Sequence, residues 1–309
     1  MSRSPARPSR SLHDAQAKTA ELTGVIVKSH GRRFIVELAD GICYDCTTRG
    51  KRTDYACGDV VYLTIENAEQ GVISGHETRS SLLYRSDAFR SKIIAANVSL
   101  LVLVVAPVPT FSEELLACCL LAAEAAGIEA RIVLNKADLP EVVQARQQLA
   151  PFVALGYPVL ELSALQDVSP LRQWLQDQTS VLVGQSGMGK STLTNALVPE
   201  AAARVGDISV ALDSGRHTTT HAQLYHLDAS SHLIDSPGLQ EFGLQHIEPL
   251  ALAGYFPDFQ PFLGQCKFHN CLHLVEPSCA LQQAVQRGEL SEKRVAFYQR
   301  IFRSLQKTH

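Results

Sequence analysis

Apolar positions change their spacing along the chain, and each change marks a different kind of structure. Between Thr23 and His76 they form short β-patterned runs, Thr23–Val27, Phe34–Leu38, Ile42–Cys46, Asp59–Ile65 and Gly71–His76, each bounded by turn residues. Short alternating runs separated by turns read as strands with one buried face, and a series of them predicts a small barrel. After Ser81 the runs become mostly apolar: Val98–Ala106, Ala130–Leu134, Pro158–Leu162, Ser180–Val183 and Ser231–Ile234. Helical stretches such as Glu113–Ala126 and Ser191–Leu197 alternate with them. Strands buried on both faces and separated by helices predict a mostly parallel α/β sheet with helices on both sides. Near the C-terminus, Val295, Tyr298, Phe302 and Leu305 share one face of a final helix. The expected division is a basic disordered arm at 1–20, a barrel at 21–80, an α/β unit at 81–245 and a C-terminal unit at 246–309.

Composition narrows the function classes. A chain of 309 residues has ample length for two or three domains. Lys and Arg number 28 against 31 Asp and Glu, a formal net charge of -3, so overall charge does not announce a nucleic-acid binder. Any RNA contact must come from local patches. The apolar run Val98–Ala106 is interrupted by Ser99 and stops at Pro107, too short to span a membrane. The first residues, Met1 to Pro8, lack the apolar core of a signal peptide. A cytoplasmic, thiol-containing monomer is the expectation.

The chemistry lies in the α/β part. Gly184-Gln185-Ser186-Gly187-Met188-Gly189-Lys190-Ser191, followed by Thr192, sits between the strand Ser180–Val183 and the helix Ser191–Leu197. Glycines there let backbone N–H groups turn inward around phosphates, and the helix N-terminus adds positive potential. Lys190 supplies an ammonium for the terminal phosphates, and the Ser191 hydroxyl is a Mg²⁺ ligand. Asn135-Lys136-Ala137-Asp138 leaves the C-terminal end of the strand Ala130–Leu134, the place where open α/β sheets bind ligands. Asp138 can accept from guanine N1–H and its exocyclic amine, a pair of donors that adenine lacks. Ser163-Ala164, after another strand, would offer a backbone N–H to guanine O6. Asp235-Ser236-Pro237-Gly238 ends the strand Ser231–Ile234, with Asp235 near Mg²⁺ and the Gly238 N–H facing the γ-phosphate.

Between phosphate loop and Asp235 lies Gly215-Arg216-His217-Thr218-Thr219-Thr220. A switch threonine that meets Mg²⁺ only beside a γ-phosphate belongs here, and Thr219 is preferred over Thr218 or Thr220. Many GTPases place a water-orienting Gln directly after the Asp-x-x-Gly glycine. Here that residue is Leu239, with Gln240 one position late. His217 is therefore the best candidate to orient the attacking water. The motif order is also rotated: the guanine-reading segment precedes the phosphate loop, where a conventional GTPase places it after.

Cys266, Cys271 and Cys279 lie within fourteen residues and, with His273 or His269, could close a tetrahedral metal site. Buried free thiols are the plainer alternative. Cys43 and Cys46 stand three apart on a strand, so their thiols should point to opposite faces. Cys57, Cys118 and Cys119 are read as structural.

The order Asn-Lys-x-Asp, Ser-Ala, phosphate loop, Gly-Arg-His-Thr-Thr-Thr, Asp-Ser-Pro-Gly resembles the YjeQ/RsgA family of circularly permuted, small-ribosomal-subunit-dependent GTPases. Ile93–Val98 and the segment Cys266–His273 with Glu276-Pro277-Ser278-Cys279 resemble it too. The resemblance implies a circularly permuted P-loop GTPase domain flanked by an OB-fold barrel and a helical zinc-binding domain. It chooses His273 over His269 as the fourth ligand of one structural Zn²⁺. It further implies GTP hydrolysis with Mg²⁺, stimulation by the 30S subunit with its 16S rRNA, and a role in late small-subunit maturation. Arg32, Arg33, Arg49, Lys51 and Arg52, with Phe34 and Tyr44 as stacking groups, and Lys293, Arg294, Arg300, Arg303 and Lys307 are the candidate RNA contacts. From the residues alone, those charges are equally well a solvated face. A GTP-regulated switch on a non-ribosomal RNA is the alternative function.

Overall fold

The computed structural model describes residues 22–50, 54–86, 91–199, 222–235 and 244–307. The expected arm, Lys51, Arg52, the Gly215–Thr220 segment with His217 and Thr219, and Gly238 to Gln240 lie outside them. Leu22–His30 (β1), Arg33–Leu38 (β2), Cys43–Thr48 (β3), Val60–Ile65 (β4) and Gln70–His76 (β5) are neighbours in the order β1-β2-β3-β5-β4. Pairing of β4 back onto β1 closes the barrel. The alternation does what its period requires: Ile26, Phe34, Val36, Cys46, Val61, Leu63 and Ile73 point into one compact core, while Cys43 faces outward. Phe34 is 1 % exposed and meets Tyr55 edge-on at 5.9 Å, and Tyr44 packs half-buried against the same core. Phe34 is therefore a core side chain, closed to any stacking base. That corrects the expectation drawn from its place beside the basic turns.

A bulge in β1 links barrel and α/β sheet. The register with β2 shifts between Ile26 and Lys28, so Ile26 packs into the barrel while Val27 turns into the larger neighbouring core. Beyond the bulge Lys28 pairs with Gln223 of the strand Gln223–His226 (β12). The barrel edge thus continues the second sheet. Close contact is enforced at Gly58 (φ +90°), where a Cβ would strike the Ala96 carbonyl. Asn97 braces the same joint, donating to Gly58 O at 2.9 Å and accepting from Ser80 N at 2.9 Å.

The α/β part begins with a hairpin, Leu82–Ser86 (β6) and Ser91–Ala96 (β7), that stands apart from the main sheet. Leu100–Val105 (β8), Glu129–Leu134 (β9), Val159–Glu161 (β10), Thr179–Val183 (β11) and His232–Asp235 (β13) follow. Their spatial order is β10-β9-β8-β11-β13-β12, all parallel except the β12–β13 pair. All six residues of β8 are buried, as a central strand covered on both sides must be. Helices Glu113–Ala126 (α1), Val142–Ala154 (α2), Ser169–Trp174 (α3) and Lys190–Leu197 (α4) join the strands. Ser112 caps α1 through Leu115 N, two glutamates occupy its first turn, and Gly127 ends it in the left-handed conformation. Cys119 lies buried on this helix, and burial pushes the neighbouring Cys118 thiol up to about 12, as core thiols require.

The C-terminal part consists of two 3-10 helices, Pro249–Tyr255 and Pro257–Phe262, and two α-helices, Ala280–Gln286 (α5) and Glu292–Gln306 (α6). Val295, Tyr298, Phe302 and Leu305 of α6 are buried, in one continuous core with the α/β sheet. Arg294 is not left to solvent as its place in the sequence suggests. It pairs with Asp258 and lies over Phe256 at 4.5 Å. Arg300 pairs with Glu114 of α1 at 3.0 Å. No described helix is long and apolar enough to cross a membrane.

A buried ion pair joins the residue before β4 to the segment after β5. Asp59 is fully buried and accepts from Ala56 N at 2.8 Å, while Arg79 grips it bidentately at 2.6 and 2.8 Å and donates on to Asp54 O. Removing the guanidinium strands a buried carboxylate, at a cost of about 3–5 kcal/mol. Arg79→Ala should therefore lower barrel opening free energies in native-state hydrogen exchange by about 3 kcal/mol, with Asp59→Asn in the same chain recovering part of the loss. Unchanged exchange in Arg79→Ala would contradict this role.

Candidate functional site

Three loops meet at the C-terminal ends of β11, β9 and β10, and side chains of one hold the backbones of the others. Asn135, directly after β9, is 1 % exposed. Its Nδ2 donates to Met188 O of the phosphate loop at 2.9 Å, and its Oδ1 accepts from Ala164 N at 3.0 Å. Lys136, in the left-handed region at φ +57°, donates to Gly187 O at 2.8 Å and Val108 O at 2.7 Å. The guanine-type motif, Ser163-Ala164 and the phosphate loop are therefore one hydrogen-bonded unit. Their distance in sequence is irrelevant, because parallel strands deliver all three loops to the same sheet edge.

Glycines make the close approach possible. Gly187 and Gly189 have φ +83° and +90°, and a Cβ on Gly189 would collide with the Asn135 amide. Gly184 passes so near Val104 O that a Cβ there would also clash. Lys190 opens α4 and its ammonium is held over the loop by the carbonyls of Gly184 and Gln185, at 2.6 and 2.8 Å. Ser191 and Thr192 are exposed in the first turn. Asp235 ends β13, beside Leu182 of the phosphate-loop strand. Burial raises its carboxyl to about 6, opposed by the nearby Lys190, whose own ammonium is pushed down by burial. A carboxylate that is costly to ionise and an ammonium that is costly to charge both favour a compensating Mg²⁺ and phosphate. Asp138 is exposed after β9, and Ser163, after β10, is buried.

Two positioning contacts are invisible in the sequence. Gln185 accepts from Ser112 N at 2.7 Å, tying the phosphate loop to the start of α1, and Val108 is one of the two carbonyls that hold Lys136. Neither the sequence spacing nor the residue types signal these pairs.

The second cluster lies in the C-terminal part. Ligand atoms of Cys266, Cys271, His273 and Cys279 all fall within 4.8 Å of one another, and His269 is exposed outside the group. His273 Nδ1 stands 3.5, 3.7 and 3.4 Å from the three sulfurs. Bonds of about 2.3 Å to sulfur and about 2.0–2.1 Å to nitrogen in a tetrahedron demand separations of about 3.5 Å, so the cluster fits a Zn²⁺-sized ion. Among the described residues it is the one group of this kind, and none of the eight cysteines is in a disulfide.

The family model described as RsgA GTPase matches residues 76–245, more than half of the chain. The chain belongs to the RsgA GTPase family. It is 56 % identical over 92 % of its length, and 92 % of the relative's, to the small ribosomal subunit biogenesis GTPase RsgA of Neisseria meningitidis serogroup B. The protein of the same name from Nitrosospira multiformis is 51 % identical over 98 % of this chain and 95 % of its own. Among solved structures, YjeQ from Thermotoga maritima superposes with a TM-score of 0.71 at 30 % identity, covering 93 % of this chain and 99 % of its own. YloQ, a circularly permuted GTPase, gives 0.68 at 28 % identity, covering 97 % of this chain and 99 % of its own. The fold is thus a circularly permuted GTPase with an N-terminal five-stranded barrel and a C-terminal Cys/His cluster suited to a metal, and the protein is a GTPase.

Asn135→Asp keeps the acceptor for Ala164 N–H but sets an oxygen against Met188 O. Guanine-nucleotide affinity should fall roughly 10–100-fold, equivalent to about 1.4–2.7 kcal/mol, in a titration with a fluorescent GTP analogue. Wild-type affinity in this variant would show that the bridge does not shape the pocket.

Proposed function

We propose that this GTPase binds the 30S ribosomal subunit through its 16S rRNA and uses its GTP state to time late small-subunit maturation and its own release. The observation that carries this reading is the 56 % identity, over 92 % of both chains, to a relative named a small ribosomal subunit biogenesis GTPase. The hydrogen-bonded union of Asn135, Met188 and Ala164 supports it by joining the loops that would read the base and hold the phosphates.

In the proposed site Asp138 reads the guanine edge, with the Ala164 N–H at O6. Backbone N–H groups of Gly187 to Ser191 and the Lys190 ammonium hold the phosphates, aided by Gln185, Ser186 and Thr192. Ser191, Thr219 and Asp235 would hold Mg²⁺, which when bound neutralises charge developing on the phosphates. Asp235 can serve only as its carboxylate, and the Lys190 charge beside it favours that form. Gly238 offers its N–H to the γ-phosphate, and His217 orients the attacking water. Cys266, Cys271, His273 and Cys279 would bind one structural Zn²⁺ that organises the C-terminal loops. Exposed Arg32 and Arg49 on the barrel are the favoured rRNA contacts, since Arg33 is engaged with Asp45. A cytoplasmic monomer is consistent with this role.

With no Gln directly after Gly238, hydrolysis should be slow until a partner orders the switch. GTP turnover measured alone, with purified small subunits and with large subunits as control should rise only with small subunits. His217→Ala should keep nucleotide affinity and lose roughly 100-fold of the stimulated rate. Equal turnover in all three conditions would remove the ribosomal role and favour a switch on another RNA. A fully active His217→Ala would remove that residue from the mechanism.

A further inference from the structure

The loop carrying the histidine of the metal cluster is held by a carboxylate that is not itself a member of the cluster. Glu276 accepts from Leu272 N at 2.9 Å through one oxygen, and from Leu274 N at 2.8 Å and Val275 N at 3.1 Å through the other. These three donors surround His273, whose backbone sits in the left-handed region at φ +60°, a conformation that costs a non-glycine residue energy unless its surroundings impose it. The carbonyls of the same stretch are tied from the other side by α6. Tyr298 Oη donates to Leu272 O at 2.9 Å, and Gln299 Nε2 donates to His273 O at 3.0 Å and Leu274 O at 2.9 Å. Carboxylate below and amide above thus grip the peptide units on both sides of His273. Burial, the largest influence, pushes the Glu276 carboxyl up, but backbone N–H bonds from Leu272, Leu274, Val275 and Glu276 itself together hold it below the usual carboxylate range.

We propose that Glu276, with Gln299 as its counterpart, is a positioning residue for the metal: it fixes the strained His273 backbone so that Nδ1 meets the three thiolates. The proposal rests on the zinc reading of the cluster. It assigns the loop's order to an acceptor that the ligand spacing alone does not reveal. Groups that orient a ligand in this way commonly change metal affinity 10–100-fold when altered. Glu276→Gln is the informative change. A glutamine keeps the size but replaces one oxygen by an NH₂ facing backbone N–H groups, a donor against donors.

The test is Co²⁺ titration of the full-length metal-free protein, followed by visible absorbance, in a double-mutant cycle of Glu276→Gln with His273→Ala. A group that acts through His273 loses its effect when His273 is gone, whereas a group that merely stabilises the fold does not. Glu276→Gln should weaken Co²⁺ binding roughly 10–100-fold in the wild-type background and less than about threefold beside His273→Ala. Equal factors in both backgrounds, or no loss in either, overturn the proposal. Wild-type protein that takes up no Co²⁺ sinks instead the zinc reading beneath it. Guanine-nucleotide affinity checks that each variant is folded. Should Glu276→Gln fail that check, Gln299→Leu replaces it in the cycle, with the same non-additivity expected and additivity overturning it.

Discussion

One side-chain amide organises the nucleotide site. Asn135 donates to the phosphate loop and accepts from the loop after β10, and its burial makes both bonds obligatory, since an unmet amide there would cost about 1–3 kcal/mol per group. Gly189 must be glycine so that this amide can come close, and Lys136 must adopt a left-handed backbone to reach the Gly187 carbonyl. Circular permutation costs the site nothing. Contact depends on which strand ends are neighbours in the sheet, and β11, β8, β9 and β10 keep that neighbourhood whatever the order in which the chain visits them.

Mechanical linkage follows from the same sheet. The barrel keeps its own core yet is joined edge-on to β12 through the bulge in β1, so Lys28 pairs with a strand that begins shortly after the Gly215–Thr220 segment. On the other side, α6 shares the main core, and Arg300 reaches Glu114 at the start of α1. Ser112, which caps α1, also donates its N–H to Gln185 of the phosphate loop. Both flanking parts are therefore in contact with elements that lead to the nucleotide loops.

Most elements were legible because their periods were unambiguous. Helix α1 spans the predicted Glu113–Ala126, and each of the five barrel strands agrees with its apolar run to within a few residues. The meeting of the Asn135, Ala164 and phosphate-loop segments was legible too, since strand-end placement follows from the strands themselves. What the sequence hid was long-range pairing. Nothing local tells Gln185 that it will meet Ser112, or Lys28 that it will pair with Gln223. Phe34 beside basic turns and Arg294 off the apolar face of α6 both pointed to an exposed surface, while tertiary packing places one in a core and the other against Asp258 and Phe256. In the metal cluster spacing alone could not dismiss the rival His269; the family resemblance favoured His273, and the fold leaves His269 exposed outside the group that includes it.

In the proposed site a base-reading carboxylate and a phosphate-holding loop, reversed in chain order, serve a single bound nucleotide. Base exchange tests it most directly. Xanthine carries a carbonyl where guanine carries its amine, so Asp138→Asn should trade affinity for GTP against affinity for xanthosine triphosphate by on the order of 100-fold or more. Lys190→Ala should weaken both nucleotides in either background. Asp138→Asn protein that binds GTP as tightly as the wild type, and xanthosine triphosphate no better, would show that Asp138 does not face the base held by this loop.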